Sequence, residues 1–390
     1  MSWRPPGPQT FQTERLIFLD WVRIIAFAVL VFYHVGMVYV TWDFHIKSPH
    51  ASTVLEPWMR LSSPWRMDLL FLVSGAATSF MLLRGGASSA LLRLRARRLM
   101  IPLAFGMLVV VLPQSWLEVV QKLGYGGDYF DFMRLYLTGY KGFCFAPGRC
   151  LMLPTWNHLW FLPYLFFYTL LLWLWLRWRP DLLDRLAGRL PSALRGAGLL
   201  LWPIMFLAVS RLALRAHFPV THALADDWFA HSQYLVIFLL GAVLARAPLL
   251  WQRMAQVRWL SLALALVAWG MLVQGNALSV ANRASMGLTG PLVYSTQQWC
   301  AMATALGFAH VHLNRDGPIR RYLTEAVFPV YILHQTVILL LAFALAPATL
   351  EAWVEGPLLV LGTFAVSFVL FEIVKRLPWV RPLFGLKRAG

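Results

Sequence analysis

The sequence holds 390 residues, of which 59% are hydrophobic and 13% are charged, and its formal net charge is +17. Soluble globular proteins carry about twice this share of charged residues, so the composition excludes a soluble enzyme and predicts a protein that crosses a membrane several times. The basic residues stand in short blocks between apolar runs, which is typical of membrane topology, so no nucleic-acid partner is expected.

Ten apolar runs predict an all-α, polytopic fold of about ten transmembrane helices, organised as one domain over residues 1–390. Lys and Arg are concentrated in alternate loops and near both chain ends, which predicts that both termini are cytoplasmic. The longest loop on the opposite side covers residues 121–156. The predicted spans are 16–40, 65–83, 99–120, 157–178, 197–214, 228–245, 257–274, 289–312, 323–346 and 356–374.

The first span carries Asp20, Arg23 and His34, three side chains that are costly inside a bilayer. Ten residues separate Arg23 from His34, a rotation of about 1,100° on a helix, so both share one face roughly 16 Å apart. With cytoplasmic termini, Arg23 lies in the inner half of the membrane and His34 in the outer half. The alternative is that Arg23 pairs with Asp20 and reaches the headgroups, while His34 is interior polar packing.

The second span begins with Arg66 and Asp68 at the outer surface and contains Phe-Leu-Val-Ser-Gly at positions 71–75. Ser74 is a candidate resting site for a transferred group, although a small residue before Gly75 also favours close helix packing. The loop that follows is the densest basic cluster of the chain. Because arginine binds phosphate through paired hydrogen bonds, this cluster is either a phosphate site or a topology signal. Its members are Arg93, Arg95, Arg97 and Arg98.

The loop at 121–156 contains Cys144 and Cys150, which flank a turn sequence and either form a disulfide or remain free thiols. His158 and Trp160 follow this loop at the outer interface, where an aromatic belt explains Trp160 but not His158. Histidines and aspartates between 217 and 231 match no standard zinc spacing, so no metal is expected.

The ninth span contains Glu325 near its cytoplasmic end and His334 at mid-depth. Their spacing of nine residues places them on opposite helix faces, so they are not expected to act as a pair. His334 is either a site residue or interior polar packing.

These features together indicate group transfer across the plane of the membrane. A histidine inside a membrane cavity can take a proton from a hydroxyl, and arginines can hold a phosphate-rich donor below it. A transporter or flippase for an anionic or carbohydrate substrate is the alternative, and a scaffold for polysaccharide assembly is a third interpretation. From their positions in the predicted spans, we assign to the donor side Arg95, Arg97, Arg98 and Ser74. We assign to the acceptor or supporting side Asp68, His158, Trp160 and His334.

Five motifs, in this order, resemble the integral-membrane acyltransferase-3 family over nearly the whole chain. They are Leu19-Asp20 with Arg23 and His34, the 71–75 motif, Arg95-Ala-Arg97-Arg98 before Pro102, His158-Leu-Trp160-Phe-Leu, and Phe328-Pro-Val-Tyr331-Ile-Leu-His334. The resemblance implies an acyltransferase of the bacterial inner membrane that uses cytoplasmic acyl-CoA to modify a hydroxyl of a periplasmic glucan or another envelope polysaccharide. It also implies that His34 is the essential histidine and that Arg23 helps to bind or orient the donor.

Within this family the chain is most similar to the branch that adds succinyl groups to periplasmic glucans, on residues 14–20, 66–67 and 70–75. Succinyl-CoA is therefore favoured over acetyl-CoA as the co-substrate. A succinyl group brings a carboxylate that Arg66 or Arg211, both inside predicted helices, is able to neutralise; extension to the headgroups is the alternative role of these arginines. Gln335 follows His334 where the family leads us to expect a second histidine.

Overall fold

The structure is mostly helical. The computed structural model describes residues 16–277 and 287–387. Within these residues there are fifteen α-helices and one two-stranded hairpin. The helices are α1 Ile17–Tyr39, α2 Glu56–Ser62, α3 Arg66–Gly85, α4 Ser89–Phe105, α5 Leu112–Leu123, α6 Tyr129–Leu137, α7 Phe161–Trp178, α8 Leu182–Ala193, α9 Gly198–Leu214, α10 Trp228–Leu244, α11 Pro248–Gln256, α12 Arg258–Ala277, α13 Thr289–His312, α14 Pro318–Leu345 and α15 Ala352–Arg376.

Each of the ten predicted spans is helical over most of its length, which confirms a polytopic helical membrane protein. In the described residues, seven helical segments are long and apolar enough to cross a membrane, or nine if the bent pairs α8–α9 and α10–α11 each count as one span. Helix α13 is long but does not belong to this set. The number ten and the cytoplasmic termini stay predictions, and residues 1–15 and 388–390 lie outside the described ranges.

The third predicted span is interrupted rather than straight. Pro102 lies inside α4, and a π-helical turn, Gly106–Val110, separates α4 from α5. Such a turn disturbs the regular hydrogen bonds of a helix, and its carbonyls need other donors. The hydroxyl of Tyr136 donates to Met107 O over 2.7 Å, and that of Thr336 donates to Val110 O over 2.7 Å. The turn is therefore stabilised from α6 and α14.

Helices α3 and α10 pack with their backbones in close contact. A Cβ atom added at Gly75 would overlap the carbonyl of Phe238, and one added at Gly241 would overlap the carbonyl of Leu72. Since only glycine lacks a Cβ, this pair of glycines permits the approach. The glycine of the 71–75 motif thus has a packing role.

Helix α1 packs against α3, α13, α14 and α15. Asp20 forms an ion pair with Arg320 at the start of α14, and Arg320 is only 4% exposed. A second carboxylate, Asp316, also binds Arg320 at 2.8 Å. These contacts join the two helices that carry the histidines of the candidate site.

The loop at 121–156 contains α6 and the hairpin of β1 Cys144–Ala146 and β2 Arg149–Cys150. Cys144 pairs with Cys150 across the hairpin, and a disulfide joins them. Of the two alternatives for these cysteines, a disulfide or two free thiols, the structure contains the disulfide.

Candidate active site

His34 meets His334 in the interior between α1 and α14. The Nδ1 atom of His34 lies 2.8 Å from Nε2 of His334, and the two rings stack with their centroids 5.0 Å apart. The other nitrogen of His334, Nδ1, lies 2.6 Å from the backbone carbonyl oxygen of Tyr331. His334 is 1% exposed, so this contact is held inside the protein.

His158 lies beside this pair but is engaged at both ring nitrogens. Its Nε2 lies 3.0 Å from Ile332 O, and its Nδ1 lies 3.3 Å from the side-chain amide nitrogen of Gln114. The hydroxyl of Tyr331 donates to His158 O over 2.8 Å, and the His158 and His334 rings meet edge to face. The three histidines therefore come together, with His158 supporting the segment that carries His334.

Gln114 is a central residue that the sequence analysis did not single out. Its amide nitrogen donates to Thr336 Oγ1 over 2.6 Å, and its amide oxygen accepts from Gln335 over 3.0 Å and from Asn157 over 3.1 Å. Gln335, at the position where a second histidine was expected, thus binds Gln114. The available signal was a polar residue inside the predicted span at 99–120.

Arg66 borders the same region from the start of α3. Its guanidinium lies over the ring of Tyr33, with the central carbon 3.3 Å from the ring centroid. It is within electrostatic range of His34, as are His158, His45 and His334. Two of its nitrogens, Nε and Nη1, are buried and have no hydrogen-bond partner in the described part of the chain.

Asp68 and Arg211 belong to a separate buried polar network. Arg211 donates through Nη2 to the amide oxygen of Gln298 over 3.2 Å and lies 3.7 Å over the ring of Tyr294. Asp68 interacts with Gln298, Arg211 and, more weakly, Arg66. Of the two arginines considered for a substrate carboxylate, Arg211 is therefore the more fully bound by the protein.

Trp160 is held by aromatic neighbours. Its ring stacks on His222 at a centroid distance of 3.9 Å, and Tyr234 lies 5.5 Å away. His222 is part of the loop between α9 and α10, where its backbone N–H donates to Asp227 Oδ2 over 3.1 Å. Burial lowers the pKa of His222 to about 4, so its imidazole is neutral at pH 7.

The other end of α1 carries the arginines. Arg23 lies 3.9 Å from Asp20. Arg95 of α4 is half-buried and within electrostatic range of both Arg98 and Arg23. Its Nε atom is buried with no hydrogen-bond partner among the described residues. The structure thus brings Arg23 and Arg95, predicted from different segments, to one place.

The remaining predicted donor residues are more dispersed. Arg97 and Arg98 are exposed, and Arg98 donates through Nε to Gly385 O over 3.2 Å, which ties the C-terminal segment to α4. Ser74 is half-buried one residue before the α3–α10 contact, and its carbonyl accepts a hydrogen bond from the hydroxyl of Thr78.

A basic end and a histidine-rich end therefore lie on one continuous helix, about 16 Å apart along its axis. Clustered guanidinium groups bind phosphates, and an imidazole with a free lone pair takes a proton from a hydroxyl. This arrangement suits the transfer of a group from a large anionic donor to a hydroxyl.

Comparison with known proteins agrees with this chemistry. The profile of the family described as Acyltransferase domain, the acyltransferase-3 family, matches residues 16–372. Glucans biosynthesis protein C of Escherichia coli K12 is 23% identical over 385 residues, which cover 96% of this chain and 95% of that protein. The protein of the same name from Escherichia coli O6:K15:H31 shows the same identity and coverage. No solved structure matches the chain. Since the family match covers most of the residues, the chain belongs to the acyltransferase-3 family and is a multi-pass membrane acyltransferase.

Proposed function

We propose that the protein transfers an acyl group from cytoplasmic acyl-CoA to a hydroxyl of a periplasmic glucan or another envelope glycan. The observation that carries this proposal is the single helix α1, which presents Arg23 at one end and His34 at the other. A donor bound by its phosphates near Arg23 extends its acyl thioester along the helix toward His34. We place the protein in the bacterial inner membrane with both termini in the cytoplasm. In this orientation Arg23 faces the cytoplasmic donor and His34 faces the periplasmic acceptor.

The donor side consists of Arg23 and Arg95, with Arg97 and Arg98 at the exposed rim. Coenzyme A carries several phosphate charges, which suit a cluster of guanidinium groups. The buried Nε of Arg95 has no hydrogen-bond partner in the described residues, and a phosphate oxygen would satisfy it. This supports acyl-CoA as the co-substrate. The proposed mechanism uses no metal.

The chemical step proceeds by attack of an acceptor hydroxyl on the thioester carbonyl. His34 takes the hydroxyl proton as the oxygen–carbon bond forms, and the tetrahedral intermediate then expels the thiolate of coenzyme A. The thiolate recovers the proton from His34, so the products are an ester and free coenzyme A. A route through an acyl-enzyme on Ser74 is the second form of this mechanism, and a Ser74→Ala variant that keeps full activity excludes it.

The acceptor side includes Trp160, Asp68 and the supporting histidines His158 and His334. The relatives are named glucans biosynthesis protein C, which supports a glucan acceptor here. Half-buried aromatic rings such as Trp160 offer an apolar face to a sugar ring, and a buried carboxylate accepts hydroxyl hydrogen bonds.

A succinyl group is the favoured acyl group, with acetyl as the alternative. Arg66 has two buried nitrogens without a partner in the described chain, close to His34, and a guanidinium binds a carboxylate through two parallel hydrogen bonds. Donor competition tests this assignment. We expect Arg66→Ala to lower the preference for succinyl-CoA over acetyl-CoA and Arg211→Ala to preserve it; equal preference in wild type and Arg66→Ala contradicts the role of Arg66.

The test of the whole proposal is mass spectrometry of periplasmic glycans from deletion cells that carry wild type, His34→Ala or the control His217→Ala. The control changes an exposed histidine, and all three proteins must reach equal levels in the membrane. Ester-linked acyl mass increments with wild type and His217→Ala, but not with His34→Ala, support the proposal and identify the acyl group. Equal acylation with His34→Ala rules out His34 as the base. Unmodified glycans in every strain contradict the acyltransferase proposal and favour the transporter alternative, which a transport assay then tests.

A further inference from the structure

We propose that His334 is a positioning residue that selects the tautomer of His34, so that the lone pair offered to the acceptor hydroxyl is on Nε2 of His34. This inference rests on the proposed role of His34 as the base. It assigns a role to a residue 300 positions away in the sequence and names the reactive atom.

The assignment follows from the hydrogen-bond chain. The carbonyl oxygen of Tyr331 only accepts, so the nitrogen 2.6 Å from it, Nδ1 of His334, carries a hydrogen. A neutral imidazole has one N–H, so Nε2 of His334 has a lone pair. The atom 2.8 Å from this lone pair is Nδ1 of His34, which must therefore donate. The lone pair of His34 is left on Nε2.

Contacts with His158 hold this chain of hydrogen bonds in place. The hydroxyl of Tyr331 donates to His158 O over 2.8 Å, and His158 in turn lies 3.0 Å from Ile332 O of the same helix as His334. The rings of His34 and His334 are nearly parallel, at 16°, and His334 is almost fully buried. With the opposite tautomer of His34, two lone pairs would face each other at hydrogen-bond distance, which is repulsive.

The same contact serves both protonation states of His34. When Nε2 takes the hydroxyl proton, Nδ1 keeps its hydrogen and continues to donate to His334. No group has to reorient between the neutral base and the imidazolium, which is the condition for preorganised catalysis. His334 thus orients the base and stabilises the charge that forms on it, while Arg66, His45 and His158 are the other titratable or charged groups within range.

Two variants of matched size separate this role from simple packing. His334→Gln places an amide oxygen near the former Nε2 position, where it accepts from His34, whereas His334→Met fills similar space without such an acceptor. We expect His334→Met to lower kcat by about 10- to 100-fold, the loss of one hydrogen bond to the charged imidazolium, with little change in KM for the donor, and His334→Gln to recover part of that loss. Equal kcat in the two variants contradicts the proposal.

A second readout does not depend on turnover. Nitrogen NMR of protein labelled with ¹⁵N-histidine in lipid nanodiscs reports which ring nitrogen carries the hydrogen, and a His34→Gln sample identifies the His34 signals. We expect the Nδ1–H form of His34 in wild type and His334→Gln, and the Nε2–H form in His334→Met. An Nε2–H form in wild type overturns the inference even if the protein proves to be an active acyltransferase. An Nδ1–H form in wild type without acyltransferase activity supports the tautomer assignment and refutes the proposed function instead.

Discussion

Gly75 on α3 and Gly241 on α10 permit each other's helix to approach to backbone contact. Each lies against a main-chain carbonyl of the other helix, that of Phe238 for Gly75 and that of Leu72 for Gly241. The contact holds the 71–75 motif against α10, and the neighbouring Phe71 stacks on Tyr234 with centroids 4.8 Å apart. Because Tyr234 also lies beside Trp160, the glycine contact helps to position Trp160 on the candidate acceptor side.

We therefore expect Gly75→Val to destabilise the protein, because its side chain must displace the α10 backbone. Overpacking of this kind costs about 1–3 kcal/mol. The effect is measured by heating the detergent-solubilised protein and recording the fraction that stays folded at each temperature. The control is Gly270→Ala in α12, where an added Cβ meets nothing within 4 Å. Equal melting of Gly75→Val and wild type would show that the two helices are free to separate.

The ion pair of Asp20 with Arg320 joins α1 to α14, and we expect its loss to lower the free energy of unfolding. Asp20→Asn leaves Arg320, which is 4% exposed, with Asp316 as its acidic partner. Removing one partner of a buried pair costs about 3–5 kcal/mol, and the lower end applies here because Asp316 still binds Arg320. The free energy of unfolding in denaturant measures it.

The control for that prediction is Arg321→Gln, which removes a neighbouring arginine that is 71% exposed. A surface pair contributes about 0–1 kcal/mol, so this variant should unfold nearly as wild type does. The double variant Asp20→Leu/Arg320→Met should be more stable than Asp20→Asn, since the buried charge of Arg320 is removed together with its partner. Additive losses in the double variant would contradict the ion-pair account.

Arg95→Gln should weaken donor binding more than Arg93→Gln does. Both residues are on α4, but Arg93 is exposed, whereas Arg95 is half-buried and near Arg23. Loss of a charge-assisted hydrogen bond corresponds to an increase of about 10- to 100-fold in KM for acyl-CoA. Steady-state kinetics of purified protein at two salt concentrations measures this, and equal KM values for the two variants would exclude Arg95 from the donor site.

Acid should destabilise the loop that holds Trp160, because burial lowers the pKa of His222 to about 4 from an ordinary value near 6.5. The folded protein favours the neutral imidazole, so the contribution of His222 is complete above pH 6.5 and is lost as the pH falls toward 4. Within that interval the free energy of unfolding falls by at most about 1.4 kcal/mol per pH unit from this group.

His222→Phe keeps an aromatic ring against Trp160 but cannot be protonated. The measurement is the melting temperature of wild type and variant between pH 7 and pH 4. We expect the two curves to run parallel above pH 6.5 and the wild type to fall more steeply below it. A variant that loses stability as steeply as wild type would assign the acid sensitivity to other groups.

Helix positions were largely predictable from the sequence, since apolar runs of sufficient length form helices in a bilayer wherever they occur. The interruption at Gly106–Val110 was not predicted, because its carbonyls are satisfied by Tyr136 and Thr336 from other segments. The count of spans is similarly ambiguous in the bent pairs, where length and hydropathy alone do not distinguish one span from two.

Local spacing determined the part of the candidate site that lies on one helix. Arg23 and His34 share a face of α1 because a helix repeats every 3.6 residues, and no contact with another segment is needed to deduce this. The likeness of the motifs to an acyltransferase family was also present in the sequence, and the family match confirms it. Sequence alone was thus sufficient for the helical membrane fold, the family and the two ends of α1.

Only the tertiary structure decided the partners of these residues. His334 was equally compatible with packing and with a site, and its hydrogen bond to His34 depends on how α1 packs against α14. The same holds for Arg95 beside Arg23, for Gln335 bound to Gln114, and for Asp20 paired with Arg320. Helix packing is set by many weak side-chain contacts distributed over several segments, so no single motif contains the information that places two distant side chains within 3 Å.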